Sequence, residues 1–72
     1  MVAGLTELGG NIRRIRTSLG MTQERLAELA DINARSVRRI EAGEINLLIT
    51  TVARIRHALD CGWDELMPDR WK

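Results

Sequence analysis

Three arginines, Arg35, Arg38 and Arg39, fall within five residues of the chain. At about 100° per helical residue, Arg39 lies about 40° to one side of Arg35 and Arg38 about 60° to the other, while Val37 and Ile40 project from the opposite side at about 200° and 140°. A helix here would have an apolar face for a core and a guanidinium face for solvent. Guanidinium groups offer planar forks of N–H donors that match phosphate oxygens and the O6/N7 edge of guanine. Such a face can recognise a polyanion; taken alone, it is also the pattern of an ordinary solvated helix.

Other chemistry is scarce. Cys61 is the one cysteine, so the chain has no intramolecular disulfide and no thiolate metal site. His57 has no second histidine to chelate with. The expectation is a partly buried Cys61 and a His57 on a helix surface. With no nucleophile beside a base, no metal cluster and no glycine-rich phosphate loop, the sequence gives an enzyme no support and calls for no cofactor or metal.

The elements that must carry the arginines have little chain to draw on. Seventy-two residues make one domain, residues 1–72, with nearly every apolar side chain needed for a single core. Apolar residues supply 44% of the chain, Tyr and Phe are absent, and Leu, Ile, Ala and Arg dominate, which favours helices over strands. The net charge of +1 conceals an asymmetry: residues 11–39 carry +4, residues 1–10 carry −1 and residues 40–72 carry −2. A cationic half beside an anionic half points to one face for a polyanion. Ten of the eleven basic residues are Arg, a bias that serves bidentate recognition and that codon usage in a GC-rich genome would also produce. The start of the chain has neither a basic leader nor a continuous apolar stretch, and nothing approaches a membrane span, so a cytoplasmic protein is expected.

Five helices account for the pattern. Leu5, Leu8, Ile12, Ile15 and Leu19 form one stripe, closed by Gly20. Gly9 and Gly10 interrupt it at about 1 kcal/mol each relative to Ala, which predicts a first turn that frays or starts late. Thr22 is placed to cap a second helix from Gln23 to about Ala30, with Met21 and Leu26 as a hydrophobic staple. Asn33 repeats the arrangement for a third helix, with Ile32 and Val37 as its staple. The connection Asp31-Ile32-Asn33 is too short for antiparallel packing and suits a steep crossing. A fourth, poorly capped helix runs from about Ile49 to Leu59, its inner face made of Ile49, Val52, Ile55 and Leu59. A fifth runs from Trp63 to Met67, with Gly62 at the cap, Glu65 at the third position and a Cys61/Leu66 staple, and is ended by Pro68.

The segments Ile12-x-x-Ile15-Arg16, Leu19-Gly20-Met21-Thr22-Gln23-Glu24-x-Leu26-Ala27, Val37-x-x-Ile40-Glu41-x-Gly43 and Ala58-Leu59-x(4)-Asp64-Glu65-Leu66 follow one another without gaps. Together they resemble the helix-turn-helix family of phage repressors, Cro proteins and their bacterial relatives, over about residues 8–67. The resemblance implies an all-α, five-helix, lambda-repressor-like domain with a helix-turn-helix core at about residues 22–41. It implies double-stranded DNA as partner, with the helix from Gln23 to Ala30 across the backbone and the helix from Ala34 to Glu41 in the major groove. The family's base-reading positions correspond to Asn33, Ala34, Arg35 and Arg39, although Asn33 is also the helix cap. Gln23 corresponds to a glutamine that bonds a phosphate and braces the recognition helix. Ser36, Arg38, Arg13 and Arg14 are further phosphate candidates. Arg16 and Glu41 match an internal ion pair joining the first helix to the third.

After Gly43 the sequence departs from the family. Polar or basic residues, a proline and a capping Ser or Thr are usual there, whereas this chain has Glu44-Ile45-Asn46-Leu47-Leu48-Ile49. Contiguous apolar residues in a connection point to a contact surface. Ile45, Leu47 and Leu48, joined by Trp63 and Trp71, are therefore expected to form a two-fold homodimer interface within a dimerisation region of about residues 44–72; the other outcome is that Leu47 or Leu48 folds back onto the core. The resulting expectation is a transcriptional regulator reading an inverted repeat, as do the small controller proteins of restriction–modification systems. A second reading is an antitoxin of the same fold that holds a toxin through its C-terminal helices.

Overall fold

The computed structural model describes residues 3–69, all of whose regular structure is helical. The elements are α1 (Ala3–Ser18), α2 (Gln23–Ala30), α3 (Ala34–Glu41), α4 (Ile49–Leu59) and α5 (Trp63–Leu66). Helix α2 packs on α3 and α4, and α1 lies against α3, α4 and α5. One core joins them, built from Leu8, Ile12, Leu26, Ala27, Ala30, Val37, Ile40, Val52, Ile55, Leu59, Cys61 and Leu66. Burying each of the larger aliphatic side chains contributes about 1.5–3 kcal/mol, so α3 is held mainly through Val37 and Ile40. Among the described residues no helix is long and apolar enough to cross a membrane.

The predicted caps form. Thr22 Oγ1 accepts from the Arg25 N–H at 2.9 Å, and Asn33 Oδ1 from the Ser36 N–H at 2.7 Å. Met21 and Ile32 pack partly buried against the core that contains Leu26 and Val37. At α5 the Glu65 carboxylate reaches back to the Gly62 N–H at 2.8 Å. Helices α1 to α4 all end in the same way. A left-handed residue (Gly20, Asp31, Gly43 or Asp60, φ between 52° and 72°) reverses the chain. The next N–H then returns to a carbonyl five residues back: Met21 to Arg16, Ile32 to Ala27, Glu44 to Arg39 and Cys61 to Arg56, at 3.0 to 3.3 Å. Sequence reading finds Gly20 as a helix end and does not find the other three, the two aspartates because Asp enters this conformation only occasionally.

Three expectations need correction. Helix α1 does not begin late: it runs unbroken from Ala3 through Gly9 and Gly10. A Cβ on Gly9 would lie 2.3 Å from the Ile40 carbonyl oxygen and 2.8 Å from that of Glu41. The glycine lets the backbones of α1 and α3 touch, and this packing offsets its helix penalty. Leu19 is exposed, because α1 has ended and the chain is already turning. Ile49 is exposed as well, since burial along α4 begins only at Val52, one turn further in.

The two adjacent glycines of α1 make a matched test. Gly9→Ala drives a methyl group into α3 backbone and is expected to cost about 3 kcal/mol or more. Gly10→Ala, with nothing within 4 Å of its added carbon, is expected to stabilise by up to about 1 kcal/mol through helix propensity. Urea unfolding of both variants checks the pair.

Candidate nucleic-acid interface

Helix α3 owes its orientation to its sequence. Its start is set by the Asn33 cap and its inner face by Val37 and Ile40, 1% and 3% exposed. The opposite face must then carry Arg35, Arg38 and Arg39, and all three are exposed. With Glu44 they line an open concavity on the surface. Among the described residues Arg35 and Arg38 have no ion-pair partner, whereas Arg39 Nε lies 3.8 Å from Glu44 Oε1. Ala34 is half-buried and packs against the core, and Ser36 is also half-buried. The cap engages Asn33 Oδ1 and leaves both amide N–H donors of the side chain uncommitted.

The end of α3 is tied to α1 and α2 by the Glu41 carboxylate. Arg16 Nε donates to Glu41 Oε2 at 2.6 Å, and Arg16 Nη2 donates to Oε1 at 3.1 Å, a bidentate fork. Gln23 Nε2 adds a third donor to Oε1 at 3.0 Å. Arg16 Nη1 donates to the Met21 carbonyl at 2.7 Å, so the guanidinium also fixes the turn between α1 and α2. The pair is nearly dry, with side-chain exposures of 10% and 3%. Gln23 thus braces α3 directly, and one of its amide hydrogens is no longer available to a phosphate.

The remaining candidates are distributed more widely. Arg13 and Arg14 are exposed on α1, and Arg14 Nη2 donates to Asn11 Oδ1 at 3.4 Å. In the connection after α3, Ile45 and Leu47 are partly buried against the core, which is the folded-back alternative. Leu48 and Ile49 remain 74% and 64% exposed. Beside them lies an apolar groove of about 160 Å³ lined mainly by Leu5, Leu8, Leu47, Ile49, Val52 and Met67. Trp63 is partly exposed, and the Arg56 guanidinium stands over its ring at 5.3 Å from the centroid. Trp71 lies outside the described residues. His57 is exposed and Cys61 buried. Burial first, then the Glu65 charge, raises the Cys61 thiol above its usual range, so it remains protonated at neutral pH.

Two contacts escaped the sequence reading. The bond from Asn11 Nδ2 to the Leu66 carbonyl, 2.9 Å, joins residues 55 positions apart, and no local signal announces it. The approach of Glu44 to Arg39 was legible in principle, since a glycine at 43 that ends the helix returns residue 44 to residue 39.

The chain belongs to the helix-turn-helix family, whose model matches residues 12–66, and is an Xre-like DNA-binding regulator by that membership. Its structure is similar to that of the restriction–modification controller protein C.AhdI from Aeromonas hydrophila, with a TM-score of 0.86 and 32% identity over 90% of this chain and 98% of that one. The controller protein C.Esp1396I gives a TM-score of 0.81 and 29% identity over 86% of this chain and 80% of that one. The clp gene regulator ClgR from Corynebacterium glutamicum shares the fold, with a TM-score of 0.84 and 23% identity over 92% and 68% of the two chains. The curated proteins contain no match.

Removing one member of the buried pair leaves the other charged and unpaired. Glu41→Ala is expected to lose about 3–5 kcal/mol of stability. The double variant Arg16→Met, Glu41→Leu should lose less than Glu41→Ala, because no charge is left stranded. Chemical denaturation followed by circular dichroism measures both.

Proposed function

We propose that this protein is a cytoplasmic, sequence-specific transcriptional regulator that binds an inverted-repeat operator as a homodimer, with α3 in the major groove. The observation that carries this reading is the division of α3 into a buried Val37/Ile40 face and an exposed face of three arginines. A major groove about 12 Å wide accepts a helix, and each arginine that meets guanine O6 and N7 end-on contributes about 1–3 kcal/mol of discrimination. Arg35 and Arg39 are the base readers in this scheme. Ala34 sits where it can only touch a thymine methyl or leave space. Asn33 can add its amide donors. Arg38, at the edge of the face, meets phosphate, with Ser36, Gln23, Arg13 and Arg14 as further backbone contacts.

The apolar surface supports a dimer. Leu48 and Ile49 stand exposed together beside the groove under α4, and burying them against a second copy would remove them from water. Two recognition helices related by a two-fold axis then read half-sites about 34 Å apart, one turn of the duplex. The likeness to controller proteins supports a role of this kind.

Selection of duplexes from a randomised pool, followed by affinity measurement at about 150 mM salt, tests the reading. The wild type should bind the selected duplex far more tightly than a scrambled one, and equal affinities would defeat it. Arg35→Ala and Arg39→Ala should each relax preference at one base pair per half-site by about 1–3 kcal/mol. For the dimer, sedimentation at micromolar concentration should show a species of twice 8.1 kDa, and Leu48→Asp should return it to monomer with weakened operator binding.

A further inference from the structure

Glu44 is an acid in the wrong place for a protein that only needs to attract DNA. Among the described residues it is the one carboxylate lining the concavity formed with Arg35, Arg38 and Arg39. Its position is set by backbone geometry. Gly43 takes φ 72°, its N–H donates to the Ile40 carbonyl at 3.0 Å, and the Glu44 N–H donates to the Arg39 carbonyl at 3.0 Å. This pair of bonds ends α3 and delivers residue 44 to the side of residue 39. The Glu44 carboxylate then stands 3.8 Å from Arg39 Nε, with both side chains about half exposed.

We infer that Glu44 is a specificity-determining residue that positions Arg39 for base reading and penalises its use on phosphate. This inference rests on the major-groove reading of α3. An arginine can donate side-on through Nε and one Nη, or end-on through Nη1 and Nη2. Glu44 stands on the Nε side, at an ion-pair distance of 3.8 Å that is too long for a hydrogen bond, and leaves the end-on edge uncommitted, and that edge is the one that grips guanine O6 and N7 together. When Arg39 meets its guanine, it keeps Glu44. On unrelated sequence the same side chain must swing toward a phosphate and separate from the carboxylate, which itself repels the backbone. The carboxylate's repulsion of the backbone acts on both kinds of duplex, whereas the loss of its pairing with Arg39 falls only on unrelated sequence, so through Arg39 the acid weakens non-specific binding more than operator binding. Glu44 therefore widens the ratio between the two.

The test compares wild type, Glu44→Gln, Arg39→Ala and the double variant on the duplex that wild type selects, on its single-base variants and on a scrambled duplex. Glu44→Gln keeps the backbone bonds, and an unchanged melting temperature verifies the fold. Its affinity for scrambled DNA should rise about two- to fivefold, the range open to an exposed ion pair, and its operator affinity should rise less. Substituting the guanine read by Arg39 should cost Glu44→Gln less than it costs wild type, while substituting the base read by Arg35 should cost both the same. In the Arg39→Ala background the Glu44→Gln change should shift both duplexes equally. Equal gains on operator and scrambled DNA with Arg39 present would overturn the inference and reduce Glu44 to bulk charge. A different result, Arg39→Ala leaving every base penalty unchanged, would instead remove Arg39 as a reader, and the role of Glu44 would fall with it.

Discussion

The Glu41 carboxylate is the point on which the arrangement of the three N-terminal helices depends. It belongs to the last residue of α3, yet its donors come from Arg16 on α1 and Gln23 at the start of α2. An apolar core alone holds helices together with considerable tolerance in rotation, because hydrophobic contact is non-directional. A bidentate fork has direction. A buried charge pair is weak evidence of net stabilisation, since desolvation offsets most of its Coulomb energy. Its value here is geometric: it fixes the end of α3 relative to α1 and α2, and so fixes where Arg35, Arg38 and Arg39 project.

The backbone enforces the same constraint at closer range. Gly9 in α1 lies directly under the last carbonyls of α3, and a Cβ on Gly43, just beyond α3, would lie 2.9 Å from the Thr6 Cα. Two glycines on opposite sides of one crossing allow contact that no side chain would permit. The carboxylate network and the glycine contact therefore act on the same few residues at the end of α3, and the reversal at Gly43 also places Glu44 beside Arg39. Stability and the shape of the arginine face are thereby set by one short segment, which is why a change there is expected to disturb folding and recognition together.

Charge is distributed to match. The chain as a whole is nearly neutral, so bulk attraction to a polyanion is weak, while three of its ten guanidinium groups stand together on one helix face. One acid, Glu44, stands among them.

How much of this was legible in the sequence can be argued from particular residues. The five helices, the Thr22 and Asn33 caps and the division of α3 were determined by composition, period and capping chemistry, all of which act within a few residues. The folded chain alone decided what depends on partners distant in sequence. Gly9 read as a helix weakness because its neighbours, the carbonyls of Ile40 and Glu41, are more than 30 residues away. Ile49 belonged to an apolar stripe, but a stripe is buried only where another helix covers it. Leu47 turned inward and Leu48 outward although both are leucines in one connection, since the path of the loop, and no property of the side chain, chose between them. Local preference is written in consecutive residues; burial and close approach are properties of two surfaces at once, and the second surface exists only after the chain has folded.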